Sequence, residues 1–252
     1  MTVASQERLA DELCAAGHLP PAWAPVFRAV DRAGFLPERV WVEEEDNAGY
    51  QPLDRATDPR RWWRAAYSNR VVVTQFDDGD TVWPRVGRRP TCSASMPSAV
   101  LGMLDAVDIQ PGHRVLQIGT GTGYTAALLA HLGNDQVSTI ELDLALCELA
   151  RTNLTAAGYR PSVACGDGAA GYPSSVPFDR VLATATVRLG ALTPCRGGAD
   201  HTRRADRGPD PDRDHLRAGG GLHRPTQRHR DRPYGAAVRG VHGAACPTQP
   251  PR

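Results

Sequence analysis

The sequence VLQIGTGTGY, residues 115–124, decides the fold. Four residues of strand-like character run directly into a loop with glycine at every second position, Gly119, Gly121 and Gly123. A helical pattern follows at once over residues 124–130. Glycine allows a positive φ and a close ligand approach, and the free N–H groups of a helix start offer hydrogen-bond donors. The stretch therefore predicts a nucleotide-type binding site.

The spacing of these glycines separates two classes of cofactor. A dinucleotide-binding turn has the pattern G-x-G-x-x-G/A, in which the third glycine lets the helix pack closely on the strand. Three residues after Gly121 this chain has Tyr124, whose bulk would obstruct that packing. The G-x-G-x-G pattern resembles instead motif I of S-adenosylmethionine (SAM) methyltransferases. A merely structural glycine turn is the alternative.

An acidic residue ends the next predicted strand. The sequence QVSTIELD, residues 136–143, contains Glu141, which lies 22 residues after Gly119. A carboxylate at that point can accept hydrogen bonds from both hydroxyls of a ribose. The alternative is that Glu141 only N-caps the helix predicted over residues 144–157 or places negative charge at its start.

Two further strands are predicted after that helix. The third leads into Asp167 and Gly168, where Asp167 can accept a hydrogen bond from an adenine amine. The fourth covers residues 178–184. Strands that alternate with helices in this way predict an α/β fold with a parallel sheet.

Composition narrows the class of protein. A chain of 252 residues fits one large domain or two small ones, and a formal net charge of +1 implies no bulk attraction to nucleic acid or membranes. The six cysteines form no C-x-x-C pair, and no apolar run is long enough to cross a bilayer. We expect a cytoplasmic monomer with reduced thiols and no metal site, and neither nucleic acid nor a membrane as its partner.

The first 90 residues predict a mixed region of helices and strands on the substrate side. Helices are predicted over residues 6–16 and 22–30, and a strand around residues 71–73. The pentad RRWWR, residues 60–64, mixes basic and aromatic residues. In a charge-balanced chain it favours a helix with tryptophan packed inward, and a nucleic-acid-binding patch is the alternative interpretation. A turn is predicted at residues 77–80.

Small hydroxyl residues precede the next helix. The sequence TCSASMPS, residues 91–98, stands just before a helix predicted over residues 99–107. Small hydroxyl side chains at a helix start ordinarily act as N-caps. Taken alone, this stretch predicts a cap.

Taken together, the ordered motifs from about residue 22 to residue 187 resemble the protein-L-isoaspartate O-methyltransferase family. The resemblance implies an α/β, Rossmann-like SAM-dependent methyltransferase core over residues 91–187, with a mostly parallel sheet and helices on both faces. The matching segments are FLP (35–37), TCSAS (91–95), the glycine loop (116–124), GDG (166–168), GYP (171–173) and FDR (178–180).

The resemblance also implies the roles of single residues. Ser93 falls on the family's active-site serine, which orients the substrate carboxylate, and Thr91 on the threonine of the same loop. A carboxylate is already nucleophilic at neutral pH, so alignment with the methyl group of SAM needs no general base. The implied activity is methylation of L-isoaspartyl residues in proteins or peptides (protein repair). The implied SAM ligands are Gly119, Thr120, Gly121 and Gly123 for the methionine part, Glu141 for the ribose, and Asp167 with Gly168 for the adenine.

Three departures from the family pattern keep alternatives open. Gln117 replaces a usual Glu, Ser95 replaces a usual Pro, and residues 77–89 form a long polar insert. The combination of residues 74–75 with residues 91–98 is similar to an actinobacterial branch of the family. That branch includes methyltransferases that act on Asp side chains of ribosomally made peptides. Peptide maturation therefore stays an alternative to repair, and an inactive SAM-binding remnant is a third interpretation.

The last segment, residues 188–252, differs in composition. From residue 189 onward it has no Ile, Met, Phe or Trp, only four Leu and two Val, but 12 Arg. Such a segment cannot bury enough apolar surface to offset its ordering entropy. One interpretation is a disordered basic tail that binds an acidic partner. The favoured one is a shift of reading frame near Arg188, with the last strands of the family's sheet missing.

Overall fold

The computed structural model describes residues 5–44, 49–133, 136–172 and 177–185, together with the backbone of residues 237–238. These residues form one antiparallel sheet and one mainly parallel sheet. Both interpretations of residues 188–252, a disordered tail and a shifted frame, fall outside the described residues except for that dipeptide.

The chain begins with two helices, as the sequence predicts. Helix α1 (Gln6–Ala15) starts where the Ser5 hydroxyl accepts a hydrogen bond from the Arg8 N–H. Helix α2 (Ala24–Ala29) is shorter than predicted because Val30 has extended backbone, with φ −95° and ψ 104°. A 3₁₀ turn (Arg32–Phe35) follows.

An antiparallel sheet in the order β2-β1-β3-β4 follows the helices. Helix α3 (Pro59–Ala66) crosses from β2 to β3, capped by the Asp58 side chain. Trp62 is buried in the core of this region, whereas Trp63 is 38% exposed, so the predicted inward packing holds for one of the two tryptophans. The strands are β1 (Arg39–Glu43), β2 (Tyr50–Asp54), β3 (Val72–Phe76) and β4 (Pro90–Ala94).

The capping interpretation of residues 91–98 is wrong. The first half of this stretch, residues 91–94, lies entirely in strand β4, where Ser93 pairs with Val73 of β3. Helix α4 (Pro97–Val107) begins two residues earlier than predicted, and its N-cap residue, Met96, makes no side-chain cap bond. Proline sets the helix start instead, because its fixed φ suits the first helical position.

Arg32 joins the 3₁₀ turn to the first sheet. Its side chain is completely buried, and its two terminal nitrogens donate to six backbone carbonyls. No carboxylate forms an ion pair with it among the described residues. Burial lowers the pKa of Arg32 to about 10, so the guanidinium stays charged at neutral pH. The six acceptors are the carbonyls of Ala65, Ala66, Ser68, Arg70, Ala94 and Ser95.

The second sheet has the order β7-β6-β5-β8-β9. Its first four strands are parallel, and β9 pairs antiparallel with β8. The order third, second, first, fourth is that of a doubly wound half-sheet, which confirms the predicted Rossmann-like class. The strands are β5 (Val115–Ile118), β6 (Val137–Glu141), β7 (Ser162–Cys165), β8 (Arg180–Ala183) and β9 (Ala237–Val238).

Helices α5 (Tyr124–His131) and α6 (Leu144–Ala156) pack with α1, α2 and α4 on one face of this sheet. That face carries Val115, whereas Leu116 and Ile118 belong to a separate apolar cluster, because successive strand residues point to opposite faces. On the second face of the sheet, the described residues outside the strands that pack against the apolar cluster are Tyr172 and Phe178. The prediction that the last strands of the sheet are missing concerns residues outside the described ranges.

Strand β4 places the predicted catalytic residues at the junction of the two sheets. It is hydrogen-bonded in the first sheet, although residues 91–94 were grouped by sequence with the cofactor-binding core. The Gln75 side-chain amide donates to Asp143 Oδ2 at 2.7 Å and so bridges β3 to the segment that follows β6. The division at residues 90 and 187 stays a prediction.

Candidate active site

The glycine loop between β5 and α5 needs its glycines for conformation and for space. Gly119, Gly121 and Gly123 have φ values of 87°, 55° and 98°, in the left-handed region that favours glycine. A Cβ on Gly119 would lie 2.7 Å from the Cβ of Ala185, and one on Gly123 would lie 3.1 Å from Leu154 Cγ. The loop is therefore packed between the residue that follows β8 by two positions, Ala185, and Leu154 of α6.

Glu141 lies beside this loop, at the C-terminal end of β6. One carboxylate oxygen accepts the Gly121 N–H at 2.9 Å, and the other accepts the N–H groups of Leu142 and Asp143 at 2.8 and 3.2 Å. The helix cap of α6 is Asp143, which accepts from Leu146 N–H at 3.1 Å. Glu141 is therefore not the N-cap of this helix, whereas the interpretation that it only places negative charge at the helix start stays an alternative. A carboxylate has about four acceptor positions, so one remains for a ribose hydroxyl.

The Thr120 side chain points toward strand β6 of the sheet. Its hydroxyl lies 2.6 Å from that of Thr139 in the sheet, and both residues are buried. A contact of Thr120 with a cofactor therefore has to come from its backbone. This orientation follows from sheet packing, which the local motif does not encode.

Asp167 and Gly168 lie at the C-terminal end of β7, as predicted. Asp167 is exposed, and one of its oxygens accepts the Ala169 N–H at 2.9 Å, which leaves the other free for a ligand. A Cβ on Gly168 would lie 2.6 Å from Ile118 Cγ2, so only glycine fits against β5 here.

Leu142 is a candidate cofactor contact that sequence reasoning passed over. It follows Glu141 directly and is 73% exposed, a large exposed fraction for an apolar side chain. An apolar side chain next to the acid predicted to bind the ribose suits the face of a purine ring. The sequence does indicate this contact through the position of Leu142, one residue after the acid that ends the strand.

Ser93 and Thr91 have different environments on β4. The Ser93 hydroxyl is half-buried and has no hydrogen-bond partner in the part of the chain that the structure describes. The Thr91 hydroxyl donates to Gln75 Oε1 at 2.9 Å and accepts the Asp78 N–H at 3.0 Å. Ser93 is thus free to bind a substrate, whereas Thr91 positions the strand.

Cys92 brings β4 against the glycine loop. Its sulfur would lie 3.5 Å from a Cβ on Gly121. Burial raises the pKa of the Cys92 thiol to about 11, so the thiol is neutral at physiological pH. The residue next to Ser93 therefore lies beside the glycine loop as a small, uncharged side chain.

The network around Asp143 connects the two halves of the site. Burial raises the pKa of Asp143, but hydrogen bonds from Gln75 and from the backbone outweigh it and hold that pKa below its ordinary value. A charged Asp143 accepts from Gln75, which in turn binds Thr91. The strand that carries Ser93 is therefore tied to the residue two positions after Glu141.

Gln117, the predicted departure from the family pattern, lies under the glycine loop. Its amide donates to the Gly119 carbonyl at 2.8 Å and to the Thr184 hydroxyl at 3.0 Å. The side chain is buried, and its Oε1 accepts no hydrogen bond from any residue that the structure describes. A glutamine can make both donations at once, which a carboxyl group cannot.

Comparison with known proteins identifies the family. The family model of protein-L-isoaspartate(D-aspartate) O-methyltransferase matches residues 62–189, just over half of the chain. This protein belongs to that family. The match includes β4, the glycine loop, Glu141 and Asp167, so the predicted resemblance is confirmed for the segment that builds the site.

Individual relatives of the family give the same result over shorter spans. The protein-L-isoaspartate O-methyltransferase of Methylorubrum extorquens is 47% identical over 91 residues, 36% of this chain and 40% of the relative. That of Methanopyrus kandleri is 43% identical over 104 residues, 40% of this chain and 45% of the relative. The chain thus spans less than half the length of these two curated relatives.

A solved structure shares the fold. A protein-L-isoaspartate O-methyltransferase superposes with a TM-score of 0.54 at 26% identity, over 72% of this chain and 48% of the other. Among the described residues, no group of three or more His, Cys, Asp or Glu side chains could hold a metal ion. Within the same ranges, no helix has both the length and the apolar character to cross a membrane.

Proposed function

We propose that this chain is a SAM-dependent carboxyl O-methyltransferase that acts on L-isoaspartyl residues of proteins or peptides, as in protein repair. The observation that carries the proposal is the junction of β4 with the glycine loop. The Cys92 sulfur would lie 3.5 Å from a Cβ on Gly121, and the next residue of the strand, Ser93, has a hydroxyl without a hydrogen-bond partner among the described residues. Membership of the family supports the same activity.

The residues at the end of the parallel sheet fit SAM. The N–H groups of Gly119, Gly121 and Gly123 already donate within the protein, so the proposed donors toward the carboxylate of a methionine moiety are the backbone N–H groups at the start of α5. Glu141 has acceptor capacity left for the ribose, and Leu142 offers an apolar surface beside it. Asp167 has one oxygen without a partner among the described residues for an adenine amine, and Gly168 lets this segment pack closely on Ile118 of β5.

The chemistry requires placement more than proton transfer. When bound, SAM supplies a methyl group on a sulfonium cation, and the carboxylate oxygen bonds to that carbon as the carbon–sulfur pair returns to sulfur. No proton moves in this step, which leaves the Ser93 hydroxyl to donate a hydrogen bond to the second carboxylate oxygen. Thr91 and Gln75 fix the strand that holds Ser93. In-line alignment of this kind accounts for much of the rate of such transfers.

We keep the sequence-based expectation that the protein is a cytoplasmic monomer. Its proposed partners are protein or peptide substrates bearing isoaspartate or Asp, without nucleic acid or a membrane. The near-neutral net charge of the chain supports the absence of nucleic acid and membrane partners, because it provides no bulk electrostatic attraction to either of them.

Methyl transfer to matched peptides tests the proposed substrate. We expect a base-labile methyl ester, detected by mass spectrometry, on a peptide with one isoaspartyl residue. The same peptide with Asp at that position should react at least about tenfold more slowly, because its carboxylate sits on a different backbone. Transfer to the Asp peptide alone would favour the peptide-maturation alternative. Transfer to neither peptide by a protein that binds S-adenosylhomocysteine would contradict the proposal.

A further inference from the structure

The insert at residues 77–89, which we name the substrate loop, has a closed neck. The Asp77 carboxylate accepts hydrogen bonds from Thr81 Oγ1 at 2.7 Å and from the N–H groups of Arg88 and Arg89 at 2.9 and 3.0 Å. These bonds, the one from Thr81 foremost, hold the pKa of Asp77 below its ordinary value. A Cβ on Gly87 would lie 2.6 Å from Phe76 Cβ, so the two sides of the neck pack closely.

The tip of the substrate loop is fixed to the first sheet. Trp41 of β1 donates its indole N–H to the Arg85 carbonyl at 2.9 Å. The Arg39 guanidinium lies 5.0 Å from the centre of the Trp83 ring, a cation–π distance. Anchored at the neck and at the tip, the loop presents a defined surface.

That surface combines apolar and positively charged side chains. Val82 is 71% exposed and Val86 is 45% exposed. Arg85 and Arg88 are exposed too, and neither forms an ion pair with a residue that the structure describes, whereas Arg89 pairs with Asp78 at 3.1 Å. The loop has three Asp and three Arg, and the hydrogen bond from Thr81 and the charge of Arg88 both lower the pKa of the Asp77 carboxyl. Arg85 and Arg88, which form no ion pair among the described residues, are the part of this surface that is complementary to a segment with acidic and apolar side chains.

The substrate loop is continuous with the catalytic strand. The Asp78 N–H donates to the Thr91 hydroxyl, and the chain runs from Arg89 directly into β4 and Ser93. An extended strand advances about 3.3 Å per residue, so Arg88 lies up to roughly 16 Å from Ser93 along the chain. A peptide held at Ser93 would meet the loop roughly three to five residues from its methyl-accepting residue.

We propose that the substrate loop docks the peptide segment next to the methyl-accepting residue and selects segments with acidic side chains. Arg85 and Arg88 bind the acidic side chains, and Val82 with Val86 contacts apolar ones. This inference rests on the proposed methyl transfer, and it adds the class of sequence that the enzyme prefers around the reacting residue.

Steady-state kinetics on paired peptides test the docking proposal. Each pair carries one isoaspartyl residue with two Glu or two Gln placed three to five residues away, on either side. We expect KM to be about 5- to 10-fold lower for the Glu peptide on the side that reaches the loop, with kcat unchanged, since each exposed ion pair contributes modestly. The preference should shrink as salt is raised.

The double variant R85Q/R88Q should abolish this difference in KM. It keeps the backbone carbonyl of Arg85 and the N–H of Arg88, which carry the structural hydrogen bonds. The matched control is R60Q/R64Q, which removes two exposed arginines from α3 and should keep the preference. Equal KM values for the Glu and Gln peptides, or the same loss in both double variants, would overturn the docking proposal. Methylation of no peptide at all would instead contradict the proposed function.

Discussion

Replacing Arg32 with methionine is expected to lower the free energy of unfolding by about 3–5 kcal/mol. The six carbonyls that Arg32 binds lie in four places: the end of α3, the segment before β3, the end of β4 and the residue after it. Methionine fills a similar volume but donates no hydrogen bond. The carbonyls would stay buried without a donor, and each such group costs about 1–3 kcal/mol.

Urea unfolding of the variants checks this expectation. Arg32→Lys should fall between the native protein and Arg32→Met, because an ammonium group has three donors for six acceptors. The control is Arg8→Met: Arg8 pairs with Glu12 on the surface of α1, with 40% of its side chain exposed, and its loss should cost less than about 1 kcal/mol. Equal losses in Arg32→Met and Arg8→Met would show that the buried contacts contribute nothing.

Replacing Ser93 with alanine is expected to lower kcat for isoaspartyl peptides by about 100-fold, because the hydroxyl that orients the second carboxylate oxygen is lost and misplacement of a reactant costs about that much. The Ser93 hydroxyl has no partner among the described residues, so its removal should change the stability by less than about 0.5 kcal/mol. Binding of S-adenosylhomocysteine should be unchanged, because no predicted cofactor contact involves the Ser93 side chain.

Ser95→Ala is the matched control for Ser93→Ala. It makes the same chemical change two residues along the chain, beyond the end of β4, and should keep kcat within about threefold, the size expected of a neutral surface change. Measuring kcat and ligand affinity for both variants separates catalysis from folding. Full activity in Ser93→Ala would remove this residue from the proposed reaction.

The parts of the fold that the sequence predicts are encoded locally. Each of these parts is recognised from its residue types and their place along the chain: the apolar strand Val115–Ile118, the glycines that follow it, and Glu141 at the end of the next strand. Positive φ values favour glycine wherever the loop has them, so the motif is visible before any tertiary contact is known. The same holds for Asp167 at the end of β7.

Non-local contacts determine the rest. Residues 91–94 form a strand because they pair with β3, whereas their composition matches a helix cap just as well. Arg32 looks like a surface residue in sequence because its acceptors lie 33 to 63 residues away. The Thr120 hydroxyl points toward Thr139, 19 residues away, and not toward the cofactor side. Local patterns carry no information about such partners.

A thermal melt with and without S-adenosylhomocysteine tests the central claim, that the glycine loop, Glu141 and Asp167 form a working cofactor site. We predict one cooperative transition that ligand at about 100 times its Kd stabilises by roughly 2.7 kcal/mol. Adenosine alone should stabilise less at equal concentration, because it lacks the methionine part proposed to bind the glycine loop. A cooperative melt that S-adenosylhomocysteine does not shift at any concentration would contradict the account.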